Sequence, residues 1–222
     1  MTSKKPRSAR PPKTHVTRSR NAGATRAAFL KEGETLFAQF GFEGVSLELI
    51  ARSVGANKTL ISYHFKTKRG LYVAVISKLV SDVMYSVSER LNRTDDAIET
   101  FGNYVESLVF SFAEKPAFCA ILMREYIGSA MPDREDAFQH VIRLFRLTNE
   151  LYRSGLKQSK FKELDPHLLH FSIVGPIIHF IVSIQFRDET LEKIAPEIAN
   201  PSLKDFVDHH KRMILDGLRI DA

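Results

Sequence analysis

The segment SVGANKTLISYHFKTKRG, Ser53 to Gly70, decides how this chain is read. Its charged side chains are Lys58, Lys66, Lys68 and Arg69, all cationic, with no Asp or Glu among them. The same stretch holds Leu60, Ile61 and Phe65 at spacings that suit a buried helix face. A segment both packed and cationic presents two faces, one to a core and one to a polyanion.

Working outward, Phe29, Gly33, Leu36, Phe37 and Phe40 recur at helical spacing, with Thr25 as the expected N-cap and Gly41 as the stop. Ser46 caps a second helix carrying Leu47, Ile50 and Ala51, and Gly55 ends it. Asn57 caps a third, Lys58 to about Phe65, and a longer helix runs from Lys68 to about Leu91 with Leu71, Val75, Leu79 and Val83 on one stripe. Ala51 sits where helices two and three cross and needs a small side chain. Gly55 occupies the turn, where a left-handed backbone costs a residue with a Cβ about 1–2 kcal/mol. Ile50, Val54 and Ile61 supply the contacts that fix the crossing. The bare pattern suits a helix-turn-helix and an ordinary αα-hairpin alike.

The surroundings favour the first. With Ile61 and Phe65 inward, Lys58, Thr59 and Ser62 share the exposed face of the third helix, with Tyr63 toward its edge. Lys, Thr and Ser can read base edges in a major groove. Thr25 and Ser46 place hydroxyls at helix starts, which suits phosphate, and Lys66, Lys68 and Arg69 add point charges.

The charge of the whole chain agrees. Residues 1–24 carry seven Lys/Arg and no acid; residues 25–70 carry seven basic and four acidic side chains. The remaining residues hold eighteen basic and twenty-two acidic groups, so the formal net charge of +6 comes from the N-terminal third. The first 24 residues, rich in Pro, Ser and Arg, are expected to be a disordered basic arm, either a solvated tail or a segment that follows nucleic acid. Its basic run leads into no apolar stretch before the first helix, so it does not read as a signal peptide. Cys119, the single cysteine, lies in the apolar run AFCAILM and reads as core in a reducing compartment.

Past Asn92 the chain stays helical. Helices are expected from Asp95 or Asp96 to Glu114, Ala117 to Ile127, Asp133 to about Lys157, Asp165 onward with a kink at Pro176, and Pro201 to Leu218. The long helix from Asp133 turns Phe138, Val141, Phe145 and Leu151 inward. The run His167 to Phe186 holds no Asp, Glu, Lys or Arg over twenty residues, enough to span a bilayer. Three His, Gln185, two Ser and a central Gly175-Pro176 instead favour a helix buried between protein surfaces. The expected fold is all-α with about nine helices: a three-helix domain over residues 25–70 and a bundle over residues 71–222.

The stretch GFEGVSLELIARSVGANKTLISYHFKTKRGLY, Gly41 to Tyr72, resembles the DNA-binding signature of the tetracycline-repressor (TetR) family of bacterial regulators. The matching positions are Gly41-Phe42, Ser46, Ile50-Ala51, Gly55, the recognition helix Lys58–His64, His64-Phe65, and Lys68 to Leu71. The resemblance implies base contacts from Lys58, Thr59 and Ser62, and phosphate contacts from Ser46, Tyr63, His64 and Lys68, joined by Thr25 and Lys66. Thr59 stands where Gly is common, Ser62 where Tyr is common, and Gly33 where Ala is usual, so family precedent does not yield the operator sequence.

The same resemblance implies a cytoplasmic homodimer, a palindromic double-stranded DNA operator and a small-molecule inducer held by the C-terminal bundle, with no cofactor. Helices 165–186 and 201–218 would then pair with their copies through Phe171, Ile178, Val182, Phe206, His210 and Met213. Candidate chamber residues are Phe101, Tyr104, Phe118, Met123, Arg124, Tyr126, Phe145, His179 and Phe180, though an aromatic at helical spacing is as readily core. Arg124-Glu125 inside ILMREYI must be paired, exposed or facing a cavity. His167 and His170, at i, i+3, could share a metal, but apart from Asp165 no carboxylate or Cys stands near them or His179 at a known ligand spacing, so core, pocket or interface is the favoured reading. No phosphate loop, nucleophile elbow or zinc-protease motif occurs. The rival readings are a structural DNA-binding protein without inducer and a membrane-associated helical adaptor.

Overall fold

Proline, glycine and short polar runs separate the apolar stretches, and helices fill the intervals between them. The computed structural model describes residues 16–127, 135–198 and 200–220. They form α1 (Val16–Phe40), α2 (Leu47–Ser53), α3 (Lys58–Phe65), α4 (Lys68–Arg90), α5 (Ala97–Ala113), α6 (Pro116–Ile127), α7 (Glu135–Lys157) and α8 (Pro166–Val182), then α9 (Ile184–Ile194) and α10 (Leu203–Leu218). The one extended pairing among the described residues is a single antiparallel bridge, Phe161 to Arg219.

Side chains close the helix starts as the sequence suggests. Ser46 accepts the Leu49 N–H at 3.0 Å, Asn57 the Thr59 N–H at 2.9 Å, and Thr67 the Gly70 N–H at 3.0 Å. Asp96 caps α5 and Asp165 caps α8, with Pro166 at the first helical position. Hydrogen bonds from the Leu168 and His167 N–H groups hold the Asp165 carboxyl below the usual range. Gly55 has φ +68, the left-handed conformation its turn requires.

One expectation is corrected here. Helix α1 begins at Val16, so Thr25 lies inside it and caps nothing. No proline interrupts residues 16–40, and a helix once nucleated propagates through a neutral stretch. The part of the basic arm before Val16 lies outside the described residues. Helix α8 continues through Pro176, and a 45° bend at Ser183 separates it from α9. That bend opens α9, whose middle turn, Arg187–Leu191, is π-helical. Phe138 also falls outside the described side chains.

One core runs the length of the molecule along α4. Its stripe Leu71, Val75, Leu79 and Val83 is buried, and the helix packs against α1 and α3 at one end and α5 and α7 along its length. α4 is long and apolar enough to cross a membrane, yet here it is the central helix of that core. At the far end α7 and α10 are tied together. Lys162 N–H donates to the Leu218 carbonyl at 2.8 Å and Ile220 N–H to the Lys160 carbonyl at 3.1 Å. The Phe161 ring lies flat against Gly155 of α7, where a Cβ would meet it at 1.9 Å. Cys119 is buried, and burial pushes its thiol up to about 12, as fits a packing residue.

Candidate nucleic-acid interface and its link to the body

Helix α3 is eight residues long, so each side chain position is fixed by two contacts beneath it. Ile61 and Phe65 are buried against α1 and α2, and Phe65 meets Phe29 edge-on at 6.5 Å. Arg26 of α1 lies 5.1 Å over the outer side of the Phe65 ring. The opposite face carries exposed Lys58, Thr59 and Tyr63, with Ser62 and His64 half-buried. Tyr63 is 71% exposed. The structure therefore brings the sequence-assigned base-reading residues to one surface.

Leu60 departs from the expectation. It is 42% exposed and shares the outer surface rather than the core. Two residues a full turn apart, Ile61 and Phe65, already fill the contact with α1 and α2, and Leu60 points about 100° away from Ile61.

Lys58 is engaged. Its ammonium forms an ion pair with Glu48 of α2, and that hydrogen bond holds the Glu48 carboxyl below the usual range. Both groups are more than half exposed, so the pair exchanges readily for another partner. The phosphate candidates flank α3. Ser46 is exposed at the start of α2, Lys66 is exposed after α3, and Lys68 extends over the Phe42 ring at 4.3 Å. Thr25 is half-buried in the middle of α1.

Lys66 sits in a γ-turn, with φ 67 and ψ −57, and Thr67 N–H donates to the Phe65 carbonyl at 2.8 Å. That turn pushes the Phe65 carbonyl to where a Cβ on residue 70 would stand, at 2.1 Å, and Gly70 occupies the position. An L-residue in this conformation stores about 1–3 kcal/mol of strain. Lys66→Gly is expected to raise stability by about 1 kcal/mol, or about 2–4 °C in Tm, measured by thermal unfolding. An unchanged or lower midpoint would show that the turn carries no strain.

The body grips this head through α6. Arg124 donates from Nε to the Ala38 carbonyl at 2.9 Å and from its terminal nitrogen to the Gln39 carbonyl at 2.7 Å. These carbonyls end α1 and have no partner within their own helix, so an arginine there both satisfies them and suits the helix dipole. Next to it, Glu125 is buried and accepts a hydrogen bond from the Tyr72 hydroxyl of α4 at 2.6 Å. Arg124, assigned to the chamber by sequence, instead joins α6 to α1.

The other chamber candidates disperse. Phe101, Tyr104 and Phe118 are fully buried in close ring pairs, Phe101 with Phe161 at 5.4 Å and Phe112 with Phe118 at 5.4 Å. The Tyr104 hydroxyl bonds Thr148 at 2.6 Å, and Thr148 bonds His170 Nδ1 at 2.9 Å. Burial raises the Tyr104 phenol and lowers His170 to about 4, so this chain of polar groups is neutral at pH 7. Phe180 stacks on Phe206 at 4.1 Å, and Phe145 stacks on His167 at 4.6 Å. Met123 is half-buried, while Tyr126 and His179 are exposed. None of the nine lines any of three clefts found among the described residues. They are an apolar groove of about 600 Å³ between α1, α6 and α8, and, beside the α4–α5 loop, a cleft of mixed lining of about 390 Å³ and a polar one of about 370 Å³.

The pairing candidates divide. Phe171 (62% exposed), Val182 and Met213 (59%) lie on the outer faces of α8 and α10, joined by Leu168. Ile178 is 2% exposed within its own chain, and Phe206 is half-buried in the stack on Phe180. His210 is buried, with Nε2 hydrogen-bonded to the Ile173 carbonyl at 2.9 Å, so it joins α10 to α8 within one protomer. These last three contribute to the interior rather than to an outer surface. Among the described residues no three His, Cys, Asp or Glu side chains cluster as metal ligands.

Comparison with known proteins accords with this arrangement. Residues 22–75 match the model of bacterial regulatory proteins of the tetR family. The HTH-type transcriptional regulator RutR of Escherichia coli (strain K12) is 24% identical over 216 residues, covering 93% of this chain and 96% of its own length. Two solved structures share the fold. The fatty acid degradation regulator FadR from Bacillus halodurans aligns with a TM-score of 0.69 at 18% identity, over 87% of this chain and 99% of that one. FadR from Bacillus subtilis, in complex with stearoyl-CoA, aligns with a TM-score of 0.70 at 14% identity, over 86% and 98%.

Proposed function

Because the chain belongs to the tetR family of bacterial regulatory proteins, we propose that it is a homodimeric, cytoplasmic repressor released from a palindromic operator by a small-molecule inducer. The observation that carries this reading is the two-sided α3: Ile61 and Phe65 lock it to the head while Lys58, Thr59, Ser62 and Tyr63 face outward. Lys58 exchanges Glu48 for a base edge, with Thr59 and Ser62 reading beside it. Ser46, Tyr63, His64, Lys66 and Lys68 hold phosphates on either side. Two such heads, set by the pairing of α8 and α10, enter successive major grooves.

An inducer acts only by binding the DNA-incompetent arrangement better than the competent one. A neighbour in fold that carries stearoyl-CoA supports a small-molecule inducer. The contacts that would pass its effect to the head are Arg124 on the end of α1 and Glu125 on Tyr72, since both join α6 to the helices that frame α3.

The test is binding to DNA fragments selected from the source genome. Lys58→Ala is expected to weaken the selected site by about 1–3 kcal/mol and to relax preference at one base pair. Lys68→Ala is expected to weaken all sequences alike and to flatten the dependence of affinity on salt. Unaltered affinity and preference in Lys58→Ala would overturn the assignment of α3.

A further inference from the structure

At the end of α4 remote from the head, the loop to α5 and the last turns of α7 enclose a cleft of about 390 Å³. Its floor is apolar, made by Ala97 and Leu151, both nearly buried. Its walls carry three cations, Arg93 from the loop and Arg153 and Lys157 one turn apart on α7, against one carboxylate, Glu150. This stands out because the chain beyond residue 70 holds more acidic than basic groups. Arg93 and Glu150 are paired at 3.0 Å with both side chains more than half exposed, so the pair is weak and leaves other Arg93 donors available.

We propose that this cleft binds a small polyanion, bearing phosphate or several carboxylates, bridged between Arg93 and the α7 cations Arg153 and Lys157. Guanidinium groups grip such groups with paired N–H donors, and a compact ammonium adds a point charge. Side chains must do this work, because the first N–H of α5, on Ala97, is already taken by the Gln158 side chain at 3.1 Å. The position gives binding a consequence. Arg93 follows the end of α4 by three residues, and α4 begins beside α3, so a ligand drawing Arg93 toward α7 bears on the helix that carries the head. A polyanion at this distal end of the bundle would be distinct from the DNA at the head, and its binding is measured without DNA.

The experiment is calorimetric titration of the full chain with pyrophosphate and, separately, with citrate, at an ionic strength held constant with KCl. The basic head also attracts polyanions, so the double variant K66Q/K68Q serves as its control. Saturable binding of either anion at one per chain is expected, retained in K66Q/K68Q and weakened at least about tenfold in R153Q/K157Q. Glu150→Gln is expected to tighten binding by removing the competing carboxylate. Pyrophosphate alone would identify a phosphate-bearing ligand, citrate alone a polycarboxylate, and both outcomes support the site. Arg153 and Lys157 are exposed, so an unchanged Tm of the ligand-free variant shows that its fold is intact. Absence of saturable binding by both anions, or its loss in K66Q/K68Q with R153Q/K157Q unaffected, overturns the proposal.

Discussion

Phe171→Asp is expected to yield monomers that bind the operator about two to four orders of magnitude more weakly than the parent. Phe171, Leu168 and Met213 project from α8 and α10 with most of their side chains in solvent. Neighbouring large apolar groups left this exposed mark an interaction surface. An aspartate at the centre of such a surface would be desolvated without a partner, while in the isolated chain it rests harmlessly in water. The expected monomer is therefore folded, with an unaltered helical spectrum. Sedimentation velocity reads the assembly, and titration of a full operator against a half-site reads the loss of joint binding. A variant that sediments as a dimer with parental affinity would remove this face from the interface.

Gly155→Ala should cost about 3 kcal/mol of stability, lowering Tm by about 6–12 °C. The added methyl would stand 1.9–2.6 Å from three atoms of the Phe161 ring. The ring cannot step aside cheaply, since Phe101 meets it edge-on at 5.4 Å and Tyr152 lies parallel at 6.3 Å. Its backbone is held as well, by the bonds of Lys160 and Lys162 to the C-terminal segment. A Phe161→Leu change in the same background offers the methyl room and should recover part of the loss. Thermal unfolding of the single and double variants measures both effects, and a Gly155→Ala midpoint within about 1 °C of the parent would show that the contact yields.

The head was legible in sequence because its structure is written in punctuation. Ser46, Asn57 and Gly55 each satisfy a local requirement of a cap or a turn, and each stands where expected. Thr25 failed for the same physical reason: a hydroxyl caps a helix only where the helix begins, and nothing before it stops α1. Leu60 failed because apolar spacing alone cannot distinguish adjacent residues on a helix of eight. In the body, periodicity marked Phe101, Tyr104 and Phe118 as inward but could not say whether they meet a cavity or one another. The contacts that most define the site were illegible. Arg124 finds its carbonyls 85 and 86 residues away, and His210 finds its own 37 residues away, separations that no local pattern encodes.

The seat of Arg124 on α1 has a mechanical consequence. From Ala38, where the arginine holds, to Phe29, which braces Phe65 of α3, the helix advances nine residues, or about 14 Å. A helix of that length is a stiff rod, and Arg124 grasps it at one end. A tilt of about 10° at the grasped end swings the other by about 2 Å, enough to take α3 out of register with a groove it had fitted. The head of this protein is thus less a module on a hinge than the short arm of a lever, with its handle inside the body.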